Sequence, residues 1–294
     1  MRQNSLYLGA FYITAAELMF ACMGASIRFV SDDLNNPMVV FARNLLGLLF
    51  LLPWLLRGGM HSFKTRVPHL HLLRGLAGVS AMYCFFYAIA KMPLADAMLL
   101  KLSAPLFMPI VALLWLKEDF TWHVVAALAV GFSGVAVILT PDLAQASLVS
   151  LVALAGGAFA AIAKVTVRRL SRSETGPLIV FYFALSGLAI SSLPLPWFWQ
   201  TPTPGQAAWL ILMACFATAG QLLLTRGMSC APAARLGPFT FFSVIFGAAL
   251  GWFLWDEAIT LFTSIGASLI LLSAFLTGRG RKQSPPPRTL PADT

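Results

Sequence analysis

Charge is what this sequence has least of. Only 11% of its 294 residues are Asp, Glu, Lys or Arg, while 59% are apolar and mean hydropathy is +0.81. A soluble protein carries about 25% charged residues. This chain has too few to cover a surface that faces water, which excludes a soluble enzyme or a free nucleic-acid-binding domain. Polar stretches are scarce as well, and no soluble domain fits between the apolar runs. A Gly-rich phosphate loop ending in Lys-Ser/Thr is absent, so ATP bound that way is not the energy source. The four cysteines, Cys22, Cys84, Cys215 and Cys230, have no CxxC or Cys/His spacing and read as buried thiols. His61, His69, His71 and His123 fall in connections or at the edge of a run, with no partners for a metal. Neither a metal nor a cofactor is expected.

What the chain has in quantity is long apolar runs. Ten can be read, at 7–29, 37–56, 71–90, 94–116, 121–140, 147–167, 177–198, 206–226, 235–255 and 258–277. Each is long enough to cross about 30 Å of hydrocarbon as a helix. The first is too long for a secretory signal peptide and lacks a small-residue cleavage site. The expected fold is an all-α, multi-pass membrane protein of ten transmembrane helices. The segment 279–294 is basic and Pro-rich and is expected to be a disordered tail.

The net charge of +9 does not point to nucleic acid, because its distribution follows a membrane rule. With a cytoplasmic N-terminus, Arg57, Lys64, Arg66, Arg74, Lys117, Arg168, Arg169, Arg172, Arg226, Arg235, Arg279, Arg281, Lys282 and Arg288 fall on the cytoplasmic side, and only Arg28 and Lys91 fall outside. Loops 140–147 and 199–206 carry no Lys or Arg. This positive-inside bias puts both termini in the cytoplasm.

The chain also repeats itself. "NPMVVFARNLLGLL" at 36–49 aligns with "GPLIVFYFALSGLA" at 176–189, matching Pro37 with Pro177, Phe41 with Phe181 and Gly47 with Gly187. "KMPLA" at 91–95 aligns with "CAPAA" at 230–234, and "LKED" at 116–119 with "WDEA" at 255–258, which pairs Glu118 with Glu257. One offset of about 140 residues serves all three. Five spans is an odd number, so the second unit enters the membrane from the opposite side. Two such units meet at a pseudo-two-fold axis in the membrane plane and can open to either side, as alternating access requires.

On these residues the chain resembles the drug/metabolite transporter superfamily, and within it the ten-helix EamA-type carriers. The likeness covers about 7–277. It rests on the tandem repeats, on "FARNLLGLLFLLPW", "LLRGLAGVSAMYCFFYAIAKMPLADAMLLKLSAPLF" and "LLWLKED", and on the following "GFSGVAVIL". The resemblance implies a five-helix repeat at 1–140, a second at 141–278 and a central cavity between them. It also implies transport of small organic solutes such as amino acids, drugs, S-adenosylmethionine or riboflavin. The first half is closer to the metabolite-carrier branch. The implied partners are a small-molecule substrate and the lipid bilayer, with the protein a monomer or homodimer in a cell inner membrane. A channel or an intramembrane enzyme is the alternative. An enzyme would need paired Asp, a Ser/His set or a metal-ligand helix, and the histidines lie at the wrong depth.

Polar residues inside the runs are the site candidates. Within 90–110, Pro93 and Asp96 suit a helix start, where proline lacks only an unneeded donor and the carboxylate meets the helix dipole. Pro105 and Pro109 lie inside the fourth run and should break it. The carbonyls they free must face protein or a wet cavity, because lipid cannot satisfy them. Lys101, one turn earlier, either snorkels outward or lines that cavity. The symmetry counterpart, "RLGPFTFFSVIFGAALG" at 235–251, offers Pro238, Thr240 and Ser243.

Glu17 lies in the middle of the first run, where a charge costs roughly 2.5–3.5 kcal/mol. It must be neutralised, paired or wet. Arg43, beside Asn44 in the second run, either pairs with Glu17 or binds an anionic group on the substrate. The matching position in the second half is Phe183, so the pocket should be asymmetric. Ser80, Tyr83 and Tyr87 share one helical face, with Gln221 near the repeat-related position of Tyr83. This set suits a flat or amphipathic organic ligand, or ordinary packing. Lys164 reads as a snorkelling residue. Glu118-Asp119 and Asp256-Glu257, followed by Thr121 and Thr260, read as caps for the next helices rather than as gates.

The orientation is testable. Single cysteines in 140–147 and 199–206 are expected to react with an impermeant maleimide on intact cells. Those in 58–68, 170–175 and the tail should react only after permeabilisation. The reverse pattern for either half would remove the inverted topology.

Overall fold

Helix occupies every one of the ten apolar runs. The protein, described as a computed structural model, covers residues 2–57, 65, 67–116, 122–139, 148–170, 173–174, 176–230, 239–240 and 242–280. Among these the chain is helical with no strand. The elements are α1 (Arg2–Ser31), α2 (Asn36–Arg57), α3 (Pro68–Lys91), α4 (Leu94–Lys101), α5 (Ala104–Leu116), α6 (Trp122–Leu139), α7 (Leu148–Leu170), α8 (Gly176–Ser192), α9 (Leu195–Phe198), α10 (Pro204–Cys230), α11 (Phe242–Trp255) and α12 (Leu261–Gly280). Among the described residues, α1, α3, α7 and α10 are the helices long and apolar enough to cross a membrane unaided. Glu118, Asp119 and the 279–294 tail beyond α12 lie outside the described residues, as does Pro238.

Two runs are broken, and their sequences explain where. The fourth splits into α4 and α5 at Leu102–Ser103, just before Pro105. Proline at 105 cannot donate to the carbonyl four residues back, and the chain tightens instead. Leu102 N–H bonds Leu99 O at 3.0 Å, Ser103 N–H bonds Leu100 O at 3.0 Å, and Leu106 N–H bonds Ser103 O at 2.8 Å. Most of the backbone is thereby satisfied without lipid, as a membrane interior requires. Pro109 sits within α5 and does not break it. The seventh run is broken at Leu193–Pro194, between α8 and α9. At the start of the fourth run the expectation holds: Met92 ends α3 in extended backbone, Pro93 precedes α4, and Ala97 N–H bonds Pro93 O at 3.0 Å.

The pairing of helices has a symmetry. α1 packs on α10 and α11, α3 on α7 and α8, α2 on α8 and α10, α5 on α7, α6 on α12, and α4 on α11. If the first five runs are exchanged for the last five, these pairs map onto one another. α1–α10 becomes α7–α3, α1–α11 becomes α7–α5, and α2–α10 becomes α8–α3, while α6–α12, α4–α11 and α2–α8 map onto themselves. This is the architecture of two five-helix repeats inserted in opposite senses.

The core lies toward the end of the bundle that carries Arg28 and the α1–α2 turn. Ile27, Ile89, Leu94, Met98, Leu99 and Leu100 are fully buried there, and α4 is enclosed on nearly every side. Gly24 and Gly247 make room for it, since a Cβ on either would meet Met98. The outer surface is apolar, as lipid demands. Trp197, Trp199 and Trp252 are exposed near the Arg28 end, where a membrane–water interface favours such rings.

Close helix approach gives a stability prediction. A Cβ at Gly134 in α6 would meet the carbonyl oxygen of Gly266 in α12 at 2.9 Å, and backbone has little room to give, whereas nothing lies within 4 Å of one at Gly47. Gly134→Val is expected to lower unfolding stability in detergent by about 1–3 kcal/mol. Gly47→Ala should leave it unchanged or slightly raised. Equal effects would contradict the packing described.

Candidate functional site

Glu17 is 6% exposed in the middle of α1. The charged groups within electrostatic reach of it are Lys101, at the end of α4, and Lys164 of α7. Lys164 in turn lies within reach of Arg74 of α3, and Arg74 within reach of Arg43 of α2. Five helices thus bring four cationic side chains and one carboxylate together inside the bundle. Lys164 and Arg74 stand less than two turns from the ends of their helices, at the end of the bundle away from Arg28. Lys101 and Arg43 lie deeper. Lys164 is exposed, and Arg43, Arg74 and Lys101 are only half-buried, so the group lines an accessible cleft rather than a dry core.

Local sequence explains each placement. The Lys101 ammonium stops at the α4–α5 break, 4.7 Å from the ring centre of Phe20 and 5.4 Å from that of Phe85. Cation–π attraction of this kind holds a charge where water is scarce. Arg74 lies over Phe183 at 3.9 Å, and Gly78, one turn further on, leaves space for both. Arg43 donates to the side-chain oxygen of its neighbour Asn44 at 3.2 Å. Gly156 and Gly157 of α7 let that helix approach Cys84 of α3 and Ser103 of the break.

Several polar atoms here are buried without a partner. They are Nε and Nη1 of Arg74, Nδ2 of Asn44, the Tyr83 hydroxyl and the Ser103 hydroxyl. Every one is able to donate a hydrogen bond. Leaving a buried donor unmade costs about 1–3 kcal/mol, so the set is poised for something that accepts.

A second polar assembly closes the Arg28 end. The Glu257 carboxylate pairs through Oε1 with Arg28 Nη1, and its Oε2 accepts the backbone N–H of Leu94, the first residue of α4, at 2.8 Å. Arg28 also donates to Met92 O at 3.2 Å and lies 4.8 Å from the Trp255 ring centre. Asp256, at φ 53, turns the chain out of α11 so that Glu257 folds back over Gly251. Asp96 of α4 accepts from Thr263 of α12 at 2.8 Å. Asn35 holds the chain after α9, through Gln200 Oε1 and Phe198 O, each at 2.7 Å, and Gln206 donates to Asp33 at 3.2 Å. Phe29 stacks on Trp209 at 4.5 Å and tilts against Trp255 at 4.9 Å.

Set against the sequence, the structure brings some residues together and separates others. Glu17, Lys101, Arg43 and Asn44 belong to the charged cleft or its edge. Glu17 and Arg43 do not pair: among the described residues the ion pair formed is Arg28–Glu257, and Arg43 turns to Asn44. Ser80, Tyr83 and Tyr87 share a half-buried face of α3. Gln221 is exposed on α10, away from the groups that surround Glu17. Ser243 is fully buried, and its hydroxyl bonds Thr240 O at 2.9 Å, so this pair serves the first turn of α11. The Pro105 break reaches the cleft through Lys101 and Ser103. Glu257 caps not its own next helix but α4, 163 residues earlier; the cap of α12 is Thr260, whose hydroxyl accepts Thr263 N–H at 3.1 Å. His71, placed at a run edge, is buried against Tyr182 at 4.5 Å. Depth along the helix alone puts Lys164 and Arg74 at the membrane interface. The signal that Arg74 faces inward is its spacing of four from Gly78.

Comparison with known proteins agrees in one direction. The model of the EamA-like transporter family matches residues 7–140 and again 147–279. The pseudopaline exporter of Pseudomonas aeruginosa is 31% identical over 277 residues, covering 93% of this chain and 97% of the relative. The S-adenosylmethionine uptake transporter of Rickettsia bellii is 25% identical over 244 residues, covering 83% and 84%. A solved crystal structure with 19% identity superposes with a TM-score of 0.61 over 94% of this chain and 96% of its own, a likeness of fold.

The Arg28-end assembly predicts unequal mutants. Glu257→Ala removes the ion pair and leaves the Leu94 N–H unbonded. Arg28→Ala leaves that cap in place. Glu257→Ala is expected to destabilise the detergent-purified protein more, by about 1–3 kcal/mol, in thermal or denaturant unfolding. Equal losses would mean that the cap contributes nothing.

Proposed function

The chain belongs to the EamA-like transporter family, and we propose that it moves a small organic metabolite across a bacterial-type inner membrane by alternating access, with the Glu17 cleft as its binding site. That it is a small-molecule transporter with an all-helical membrane fold follows from the family. The observation that supports the mechanism is the contrast between the two ends. The Arg28 end is closed by one ion pair, a cross-repeat helix cap and an aromatic stack. Below it the cleft is accessible at Lys164. The molecule is then in a state open toward the end where Lys164 lies, which the positive-inside rule makes cytoplasmic. Both termini lie on that side. The two moving bodies are the repeats 1–140 and 141–278, and 279–294 is a tail. The relatives named for pseudopaline and for S-adenosylmethionine support a metabolite, rather than an inorganic ion, as the solute. A carrier, and neither an enzyme nor a channel, fits this family.

Alternating access requires the Arg28 end to part. With cysteines at Asn35 and Gln200, joined by a short bismaleimide, counterflow in proteoliposomes is expected to fall more than tenfold. The same double-cysteine protein before linking should retain it. Undiminished, saturable counterflow after complete linking would overturn the mechanism.

A further inference from the structure

The cleft has an excess of one kind of charge. Arg43, Arg74, Lys101 and Lys164 gather there against the single carboxylate of Glu17. The salt bridge among the described residues is elsewhere, at Arg28. An assembly of cations without counter-charges is repulsive in a medium of low dielectric. The cations are also spread over four helices, α2, α3, α4 and α7, rather than clustered at one point. A single small anion would reach only part of the set.

The unpartnered atoms point the same way. Arg74 Nε and Nη1, Asn44 Nδ2, and the hydroxyls of Tyr83 and Ser103 are buried and unbonded, and all of them donate. Arginine presents a planar fork that fits a carboxylate with two parallel bonds. Glu17 is the one acceptor of full charge in the group, and it suits a protonated amine. The half-buried tyrosine face of α3 offers apolar contact for a short carbon skeleton.

We infer that the substrate of this cleft is an organic polyanion, a molecule with two or more carboxylates and at most one amine, whose acidic groups are divided between the Arg43–Arg74 side and the Lys101–Lys164 side. This rests on the cleft being the transport site. It narrows the solute from metabolites in general to one charge class.

The test uses three dipeptides of closely similar size as probes: Glu-Glu, Gln-Gln and Lys-Lys. Purified full-length protein in nanodiscs is expected to gain thermal stability with Glu-Glu, at concentrations at least tenfold below any at which Gln-Gln acts, and none with Lys-Lys. Lys164→Gln and Arg74→Gln should each weaken the Glu-Glu effect tenfold or more. Without ligand, each should unfold at the same temperature as the parent or higher, because a like-charge repulsion is relieved. A purely structural role for these cations would instead lower stability in the empty protein, and that result would overturn the inference. Equal stabilisation by Glu-Glu and Gln-Gln, or a preference for Lys-Lys, would also overturn it. Counterflow against a mixed metabolite pool is measured in parallel. If solutes are carried but anions gain no preference, the charge class fails and the transporter reading stands. If no solute is carried at all, the transport reading fails with it.

Discussion

The carboxylate of Glu257 is the point at which the two halves of this protein hold each other. It comes from the turn between α11 and α12, yet its partners are Arg28 of α1 and the first N–H of α4. Helix starts carry unpaired donors and a partial positive charge, so an anion from the other repeat is a natural cap. In hydrocarbon or at its edge such a group has no cheap alternative partner. The same atoms that hold α4 in place therefore hold the Arg28 end shut. A bond of this kind is strong enough to define a state and weak enough to be exchanged for water when the end opens.

Below the closure, the shape of the cleft depends on α4. This short helix is enclosed by α1, α11 and their glycines, and it stops at Leu102–Ser103 because Pro105 cannot continue the ladder. The stop places Lys101 and Ser103 against α1, α3 and α7 near the middle of the bundle. Gly156 and Gly157 permit the approach. The break thus joins the closed end to the charged cleft, and movement of α4 alters both. A cleft whose charges are mostly of one sign is suited to release as well as to binding, since nothing inside the protein replaces the ligand's charge.

Much of the fold is legible in the sequence, for reasons that act along one chain. Hydrocarbon thickness sets the length of each run, the positive-inside bias sets orientation, and the offset of about 140 residues exposes the repeats. Pro93 and Pro105 mark helix boundaries because proline's missing donor acts locally. Glu17 stands out because a lone carboxylate in an apolar run needs an explanation. The site is legible only in part. Arg74 and Lys164 sit near helix ends, where depth along one helix suggests snorkelling and says nothing of what faces them. The Glu257 cap spans 163 residues, and no local pattern distinguishes it from a cap on α12. Thr240 and Ser243 look like pocket residues by symmetry, but their bond to each other uses both for helix initiation. Arg43 and Glu17 invite pairing by opposite charge, while Lys101, Lys164 and Asn44 are nearer.

The central claim is that the Arg28 end is a door which opens during transport. Spin labels at positions 33 and 206, which the closed state joins through Asp33 and Gln206, report on it directly in lipid. Pulsed dipolar spectroscopy is expected to give two distance populations, a short one matching the closed end and a longer one, with Glu257→Ala shifting weight to the longer. A single short distance in the parent and in Glu257→Ala alike, with and without a solute gradient, would contradict the account.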